Sequence, residues 1–381
     1  MKILHLISGG DTGGAKTHVL SLIKELNKNV DAKIVCFIKD EFYYDGIKMG
    51  IDIEVIEQKK RYDLSIINRL KELIASEKYD IIHSHGARAN FISVLLKTKG
   101  VRTPFITTIH SDYKLDFTDS LYKKFVYTAI NEIALRFFNH YIAVSSRFKN
   151  MLQQRGFNGD KIFTVYNGID TEQKIEVCSK RDFLSRYEIS YNNEIIIGIA
   201  GRLDQVKNHE VFIKAAEKIL SKRKDVSFLI AGLGSEEKRL KTLVIDKNIE
   251  DHVHFLGFVK DPFSFFNAID INVLTSISES FPYVILEGAI MKKTVVSTDV
   301  GGLNDLIENG VNGYLFDVGD YKQLAIYLEE LINNIDKTEA MGQNLCNKVE
   351  EKFSLKKMGI DHLEIYNKII NNRRSWDENN R

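Results

Sequence analysis

The sequence predicts an α/β protein made of two Rossmann-like domains, each on a parallel sheet. Three observations point there. Short apolar runs alternate with amphipathic helical stretches along the chain, the pattern of β-α-β units joined by right-handed crossovers. A polar, charged stretch at 171–193 interrupts two such series. The 381 residues suffice for two cores.

In the first half, strands are expected at Ile3–Ile7, Lys33–Ile38, Ile53–Ile56, Ile81–His83, Phe105–Ile109, Tyr141–Val144 and Ile162–Val165. In the second they are expected at Ile195–Ala200, Ser227–Ala231, His254–Leu256, Ile271–Leu274 and Val295–Ser297. Tyr283–Met291 has helical character, with Pro282 suited to its first turn. The organisation expected is a domain over 1–170, a linker over 171–193 and a second domain over 194–354. The polar tail 371–381 is expected to fray.

Hydrophobic residues make up 44% and charged residues 28%, as in a globular protein in water. Apolar runs are too short to span a bilayer, and residues 1–8 read as a strand rather than a signal peptide. Cys36, Cys178 and Cys346 lie far apart with no CxxC spacing, which points to a reducing compartment and no structural zinc. A cytoplasmic protein is expected. Residues 1–170 carry 25 Lys and Arg against 19 Asp and Glu; residues 171–381 carry 28 against 33. This asymmetry is either ordinary scatter or a basic face for an anionic acceptor or membrane surface. Nucleic-acid motifs are absent.

Ligands of such sheets lie beyond the carboxyl ends of the strands, and the chemistry-bearing residues follow that rule. Ser278-Glu279-Ser280-Phe281-Pro282-Tyr283-Val284-Ile285-Leu286-Glu287 leaves a strand and enters a helix. Its two glutamates are acceptors for sugar and ribose hydroxyls, and a helix start is suited to phosphate. Because Pro282 lacks an N–H, any backbone grip falls to Phe281, Tyr283 or Val284. Arg202 and Lys207, between a strand and a helix, can neutralise a departing diphosphate. Together these features suggest a nucleotide-sugar.

The segment resembles the E-x7-E signature of retaining GT-B glycosyltransferases of family 4. Further motifs occur in that family's order: Gly201-Arg202-Leu203-Asp204-Gln205-Val206-Lys207-Asn208, Ala231-Gly232-Leu233-Gly234, Phe255-Leu256-Gly257-Phe258, Val300-Gly301-Gly302-Leu303 and Asn312-Gly313. Asn167-Gly168-Ile169-Asp170 marks the junction of the halves. The resemblance spans nearly the whole chain. It implies a GT-B fold in which a last helix, here 355–370, returns to the first domain. It assigns Arg202 and Lys207 to the donor phosphates, Glu279 to the donor sugar and Glu287 to the ribose. Gly232, Gly234 and Phe258 join the donor site. Gly13 and Gly14 become the glycine-rich loop of the first domain, and His110 a support for the reacting sugar. Ser280 and Pro282 depart from the family's E-G-F-G pattern, which leaves the sugar open.

The expected reaction moves a hexose or N-acetylhexosamine from a UDP-sugar, or less favourably a GDP-sugar, to a glycan or lipid-linked glycan. The Asn-, Ile- and Lys-rich composition suggests bacterial surface-polysaccharide assembly. No cofactor or metal is expected. Asp-x-Asp is absent, and His83 with His85 forms a pair lacking a third ligand. Alternatives are an epimerase or phosphorylase of the same fold, or a P-loop-like NTPase. Gly10-x4-Ala15-Lys16-Thr17 is one residue from a Walker A loop. Leu121–Tyr127 and Leu135–Phe138 mix aromatics with bases, as in an interfacial or a core-packed helix. The core reading is favoured.

Overall fold

The structure is a computed structural model that describes residues 1–10, 13–58, 60, 63–114, 128 and 130–379, with only the backbone for 375–379. The chain divides into two units: Met1–Gly168 with Leu355–Arg381, and Ile169–Ser354.

The first unit holds a seven-stranded parallel sheet: β1 (Lys2–Ile7), β2 (Asp31–Cys36), β3 (Ile53–Val55), β4 (Ile81–His85), β5 (Phe105–Ile109), β6 (His140–Ala143) and β7 (Ile162–Thr164). The order is β3-β2-β1-β4-β5-β6-β7, so the direction of winding reverses between β1 and β4. The second unit holds six parallel strands: β8 (Ile195–Ala200), β9 (Val226–Ala231), β10 (Val253–Gly257), β11 (Ile271–Leu274), β12 (Thr294–Thr298) and β13 (Tyr314–Phe316). Its order is β10-β9-β8-β11-β12-β13, with the reversal between β8 and β11. Such reversals splay the outgoing loops apart and open a crevice at the strand ends.

Every expected strand is present. Buried on both faces, these strands read as near-continuous runs of Ile, Leu and Val, a signal that sequence carries well. β13 escaped it because three residues on a sheet edge show no period.

Two expectations are corrected. The stretch 171–193 is not a bare linker. It contains the helix Lys180–Ser185, capped by the Ser179 side chain. Phe183 and Leu184 of that helix are buried with Phe265 and Phe266, and Lys180 pairs with Asp270 at 2.6 Å. The tail also continues as helix, Leu355–Asn379, beyond the expected end at residue 370. Met358, Ile365, Tyr366 and Ile369 of that helix sit in one core cluster with Ile3, Ile7 and Val19, which anchors it to the first unit.

Tyr366 is wholly buried, and its hydroxyl meets His83 Nδ1 at 2.6 Å. Tyr366→Ala should therefore cost about 3–5 kcal/mol in stability, read as a lower urea midpoint. An unchanged midpoint would show that the last helix does not secure the first unit.

Candidate donor site and its family

In the second unit the site grows from the β8/β11 reversal. After β8, Gly201 N–H donates to Ala231 O at 2.9 Å and Leu203 N–H to Leu233 O at 2.9 Å. The two loops approach so closely that a Cβ on Gly232 would overlap the Gly201 carbonyl, and one on Gly234 the Leu203 carbonyl. The structure thus gives these glycines a packing role: they hold the loop that carries Arg202 and Lys207. Asn208 closes the loop at φ +50°, a left-handed turn that Asn tolerates better than most residues other than Gly.

Lys207 Nζ reaches Glu279 Oε1 at 2.5 Å, with the two side chains 19% and 10% exposed. The same oxygen accepts from Ser276 Oγ at 2.6 Å. Thr275 Oγ1 donates to Lys207 O at 2.9 Å, and Ile277 N–H to Val206 O at 2.7 Å. The loops after β8 and β11 are thereby stitched together along both backbone and side chain. Arg202 meets Asp204 at 3.2 Å but is 77% exposed, so its guanidinium is available to an incoming anion. A Cβ on Gly301 (φ +58°) would strike the Glu279 carbonyl, and Gly302 N–H donates to Ser280 O at 2.8 Å. The Val300-Gly301-Gly302 motif therefore braces the Glu279 loop from behind.

The helix Tyr283–Ile290 starts directly after that loop, with Pro282 as its N-cap. Ile285 N–H bonds Pro282 O; the N–H groups of Tyr283 and Val284 have no intrahelical acceptor. The Phe281 side chain is buried against Phe353, with ring centroids 5.1 Å apart, so only its backbone can face a ligand. The Tyr283 ring is also buried. Glu287, one turn further, is partly buried with no cation paired to it among the described residues, and burial pushes its carboxyl up to about 7. Phe258 is 69% exposed beyond β10, and Leu233, which the sequence reading did not single out, is 53% exposed beyond β9. They offer apolar surface at the same sheet edge.

In the first unit, the helix Gly13–Leu26 begins with Gly13 at φ +62° followed by Gly14. Lys16 is held by Glu41 at 3.0 Å and Asp45 at 2.6 Å. That is opposed to a P-loop, whose lysine must reach phosphate. Residues 11 and 12 of this loop lie outside the described residues, as does Leu121–Tyr127. Of the second aromatic stretch, Leu135 and Phe138 are core residues, and Arg136 stacks on Phe157 at 4.8 Å.

His110 follows β5 and is partly exposed. Two residues on, Asp112 receives a bidentate pair from Arg155 at 2.8 and 2.7 Å. Burial would raise the Asp112 carboxyl, but Arg155 holds it below its ordinary range. This pair fixes the turn that carries His110.

The expectation that His83 and His85 lack a third ligand is corrected. His5, His18, His110 and His362 gather around them, with adjacent ring centroids 4.3–6.2 Å apart. His85 itself is buried. Burial draws all six imidazoles below their ordinary range, with His5 and His18 brought down to about 3 and His362 to about 4.

Two family models match the halves in turn: "Glycosyltransferase Family 4" over residues 12–173 and "Glycosyl transferases group 1" over residues 180–347. The chain belongs to the family 4 glycosyltransferases. This glycosyltransferase is 29% identical to the N-acetyl-alpha-D-glucosaminyl L-malate synthase of Bacillus anthracis, over 81% of this chain and 80% of that protein. It is 26% identical to the capsular polysaccharide biosynthesis glycosyltransferase CapM of Staphylococcus aureus, over 97% of each. Its fold is that of Anabaena HepE, solved in complex with UDP-glucose: TM-score 0.83, 23% identity, covering 97% of this chain and 100% of that one. The fold is GT-B.

Because burial raises the Glu287 carboxyl from 4.5 to about 7, folding favours its protonated form. The benefit is complete below pH 4.5, fades as the pH rises through 7, and leaves a costly buried carboxylate above. Glu287→Gln should stabilise the ligand-free glycosyltransferase at pH 8 by on the order of 2–3 kcal/mol, and much less at pH 5. Equal effects at both pH values in denaturant unfolding would contradict this.

Proposed function

We propose that this glycosyltransferase is a retaining hexosyltransferase. It moves a hexose or N-acetylhexosamine from a UDP-sugar to a glycan or lipid-linked glycan during cell-surface polysaccharide assembly. The observation that carries the reading is the Lys207–Glu279 pair across the β8/β11 reversal, beside the exposed Arg202 and the free N–H groups of the Tyr283–Ile290 helix. UDP as the nucleotide is supported by the HepE complex, and a polysaccharide product by the likeness to CapM.

In this reading Arg202 and Lys207 take the diphosphate, with the Tyr283 and Val284 N–H groups completing its shell. Their charge does the work a divalent ion does elsewhere, so the donor site needs no metal. Glu279 accepts from sugar hydroxyls. Glu287 accepts from the ribose hydroxyls, which give partners to a carboxylate that burial has stripped of water. Phe258 and Leu233 supply apolar surface for the base. Gly13, Gly14 and His110 keep the roles the family resemblance gives them.

The chemistry is a front-face substitution. The bond from the anomeric carbon to the phosphate oxygen breaks, and the acceptor oxygen attaches on the same face. Its proton passes to the departing phosphate, whose charge Arg202 and Lys207 stabilise. No separate base is required.

No helix among the described residues is long and apolar enough to cross a membrane. A cytoplasmic enzyme touching a membrane peripherally through its basic first half is part of the proposal.

Arg202→Ala and Lys207→Ala should each lower transfer from UDP-glucose or UDP-N-acetylglucosamine by about 100-fold or more, the melting temperature being kept in Arg202→Ala, whose side chain is exposed, and lowered in Lys207→Ala, which strands the Glu279 carboxylate. The product should be an α-glycoside by NMR. Near-normal turnover in these variants would overturn the site. A β-product would overturn retention, and conversion of the donor to its epimer without acceptor would make the protein an epimerase.

A further inference from the structure

Apart from His110, the six-histidine cluster has no part in the proposed donor chemistry, yet it is costly to build. Neutral imidazoles each carry one donor and one acceptor, and buried polar atoms are normally paired. Here the Nε2 atoms of His5, His18 and His362 are buried without a partner among the described residues. Such atoms call for a ligand or ion.

The hydrogen bonds narrow down which rings can bind one. His83 is spent: its Nδ1 meets Tyr366 Oη at 2.6 Å and its Nε2 meets Thr108 Oγ1 at 2.7 Å. His18 is poised. Its Nδ1–H donates to Asn167 Oδ1 at 2.8 Å, which leaves the lone pair on Nε2. His85 Nδ1 lies 3.1 Å from His110 Nε2, close to the ligand–ligand edge of a tetrahedral site with metal–nitrogen bonds of about 2.0–2.1 Å. One ligand nitrogen from each of His18, His85 and His110 lies within 4.8 Å of the others, so modest ring movement brings all three onto one ion. His18 and His85 are buried, while His110 is partly exposed and offers a way in.

We propose that His18, His85 and His110 form a three-imidazole site for a divalent transition-metal ion of the zinc type. An all-nitrogen ligand set suits zinc, cobalt, nickel or copper and does not suit magnesium or calcium, which require oxygen. Three protein ligands leave a fourth position for water or an anionic oxygen. The outer shell is in place: Asn167 orients His18, and His5 Nδ1 contacts His85 Nε2 at 3.0 Å. The proposal rests on first-unit residues alone and does not depend on the donor reading, with which it shares His110.

The test is a titration of the full-length, chelator-treated protein with Zn²⁺ by calorimetry and with Co²⁺ by visible absorption. One ion per chain is expected, with the intense d–d bands of tetrahedral cobalt and no competition from excess Mg²⁺. His110→Ala, on the partly exposed turn, and His18→Gln should each weaken binding at least 10-fold. The double change His252→Ala with His254→Ala, a histidine pair in the other unit, should leave it intact. Metal-free melting temperatures identify any variant that fails to fold, and His110→Ala then decides alone. Absence of stoichiometric binding would overturn the proposal. So would undiminished binding in His110→Ala and His18→Gln, or loss in the His252/His254 variant.

Discussion

Lys207 and Glu279 join the two loops that diverge where the second sheet reverses direction, and the geometry of the candidate donor site follows from that contact. A parallel sheet delivers all its strand ends to one edge, but winding in opposite directions from β8 and β11 leaves the outgoing loops without a shared hydrogen-bond ladder. The ion pair, with Thr275 and Ile277 bonding the opposing backbone, supplies the missing connection. It also fixes an ammonium and a carboxylate side by side, with a helix start immediately downstream. One anionic and several hydroxyl groups of a single ligand can then be met without rearrangement, the preorganisation that electrostatic catalysis requires.

Around this contact, space is set by glycine. Gly232 and Gly234 let the loop after β9 lie against the loop carrying Arg202, and Gly301 lets the loop after β12 lie against Glu279. Each replaces a side chain with a backbone carbonyl at contact distance. The glycines read from the motifs as ligand contacts are thus also the reason the ligand contacts stand where they do. Glu287 shows the opposite: desolvation of its carboxylate lowers stability, and a partner with hydroxyl donors relieves it.

Much of this was legible in the sequence. Strands buried on both faces announce themselves as apolar runs, and the motif order named the fold and the candidate residues. What remained hidden was pairing. Arg202, Lys207, Glu279 and Glu287 could be named, but nothing in their spacing says that Lys207 bonds Glu279 while Arg202 stays exposed and Glu287 unpaired. Phe183 and Leu184 are the two apolar residues of a six-residue helix, too short to show a helical period. The histidine cluster draws on β1, β4, the turn after β5 and two helices, from His5 to His362. Only the His83–His85 alternation showed locally, since a period of two places both on one face.

The direct test of the account is a double-mutant cycle on that contact. UDP would be titrated calorimetrically into the wild type, Lys207→Met, Glu279→Gln and the double variant, with folding checked by circular dichroism. The account predicts weaker binding in each single variant and a coupling of about 1 kcal/mol or more between them. Strictly additive losses, or UDP affinity untouched by either change, would contradict it.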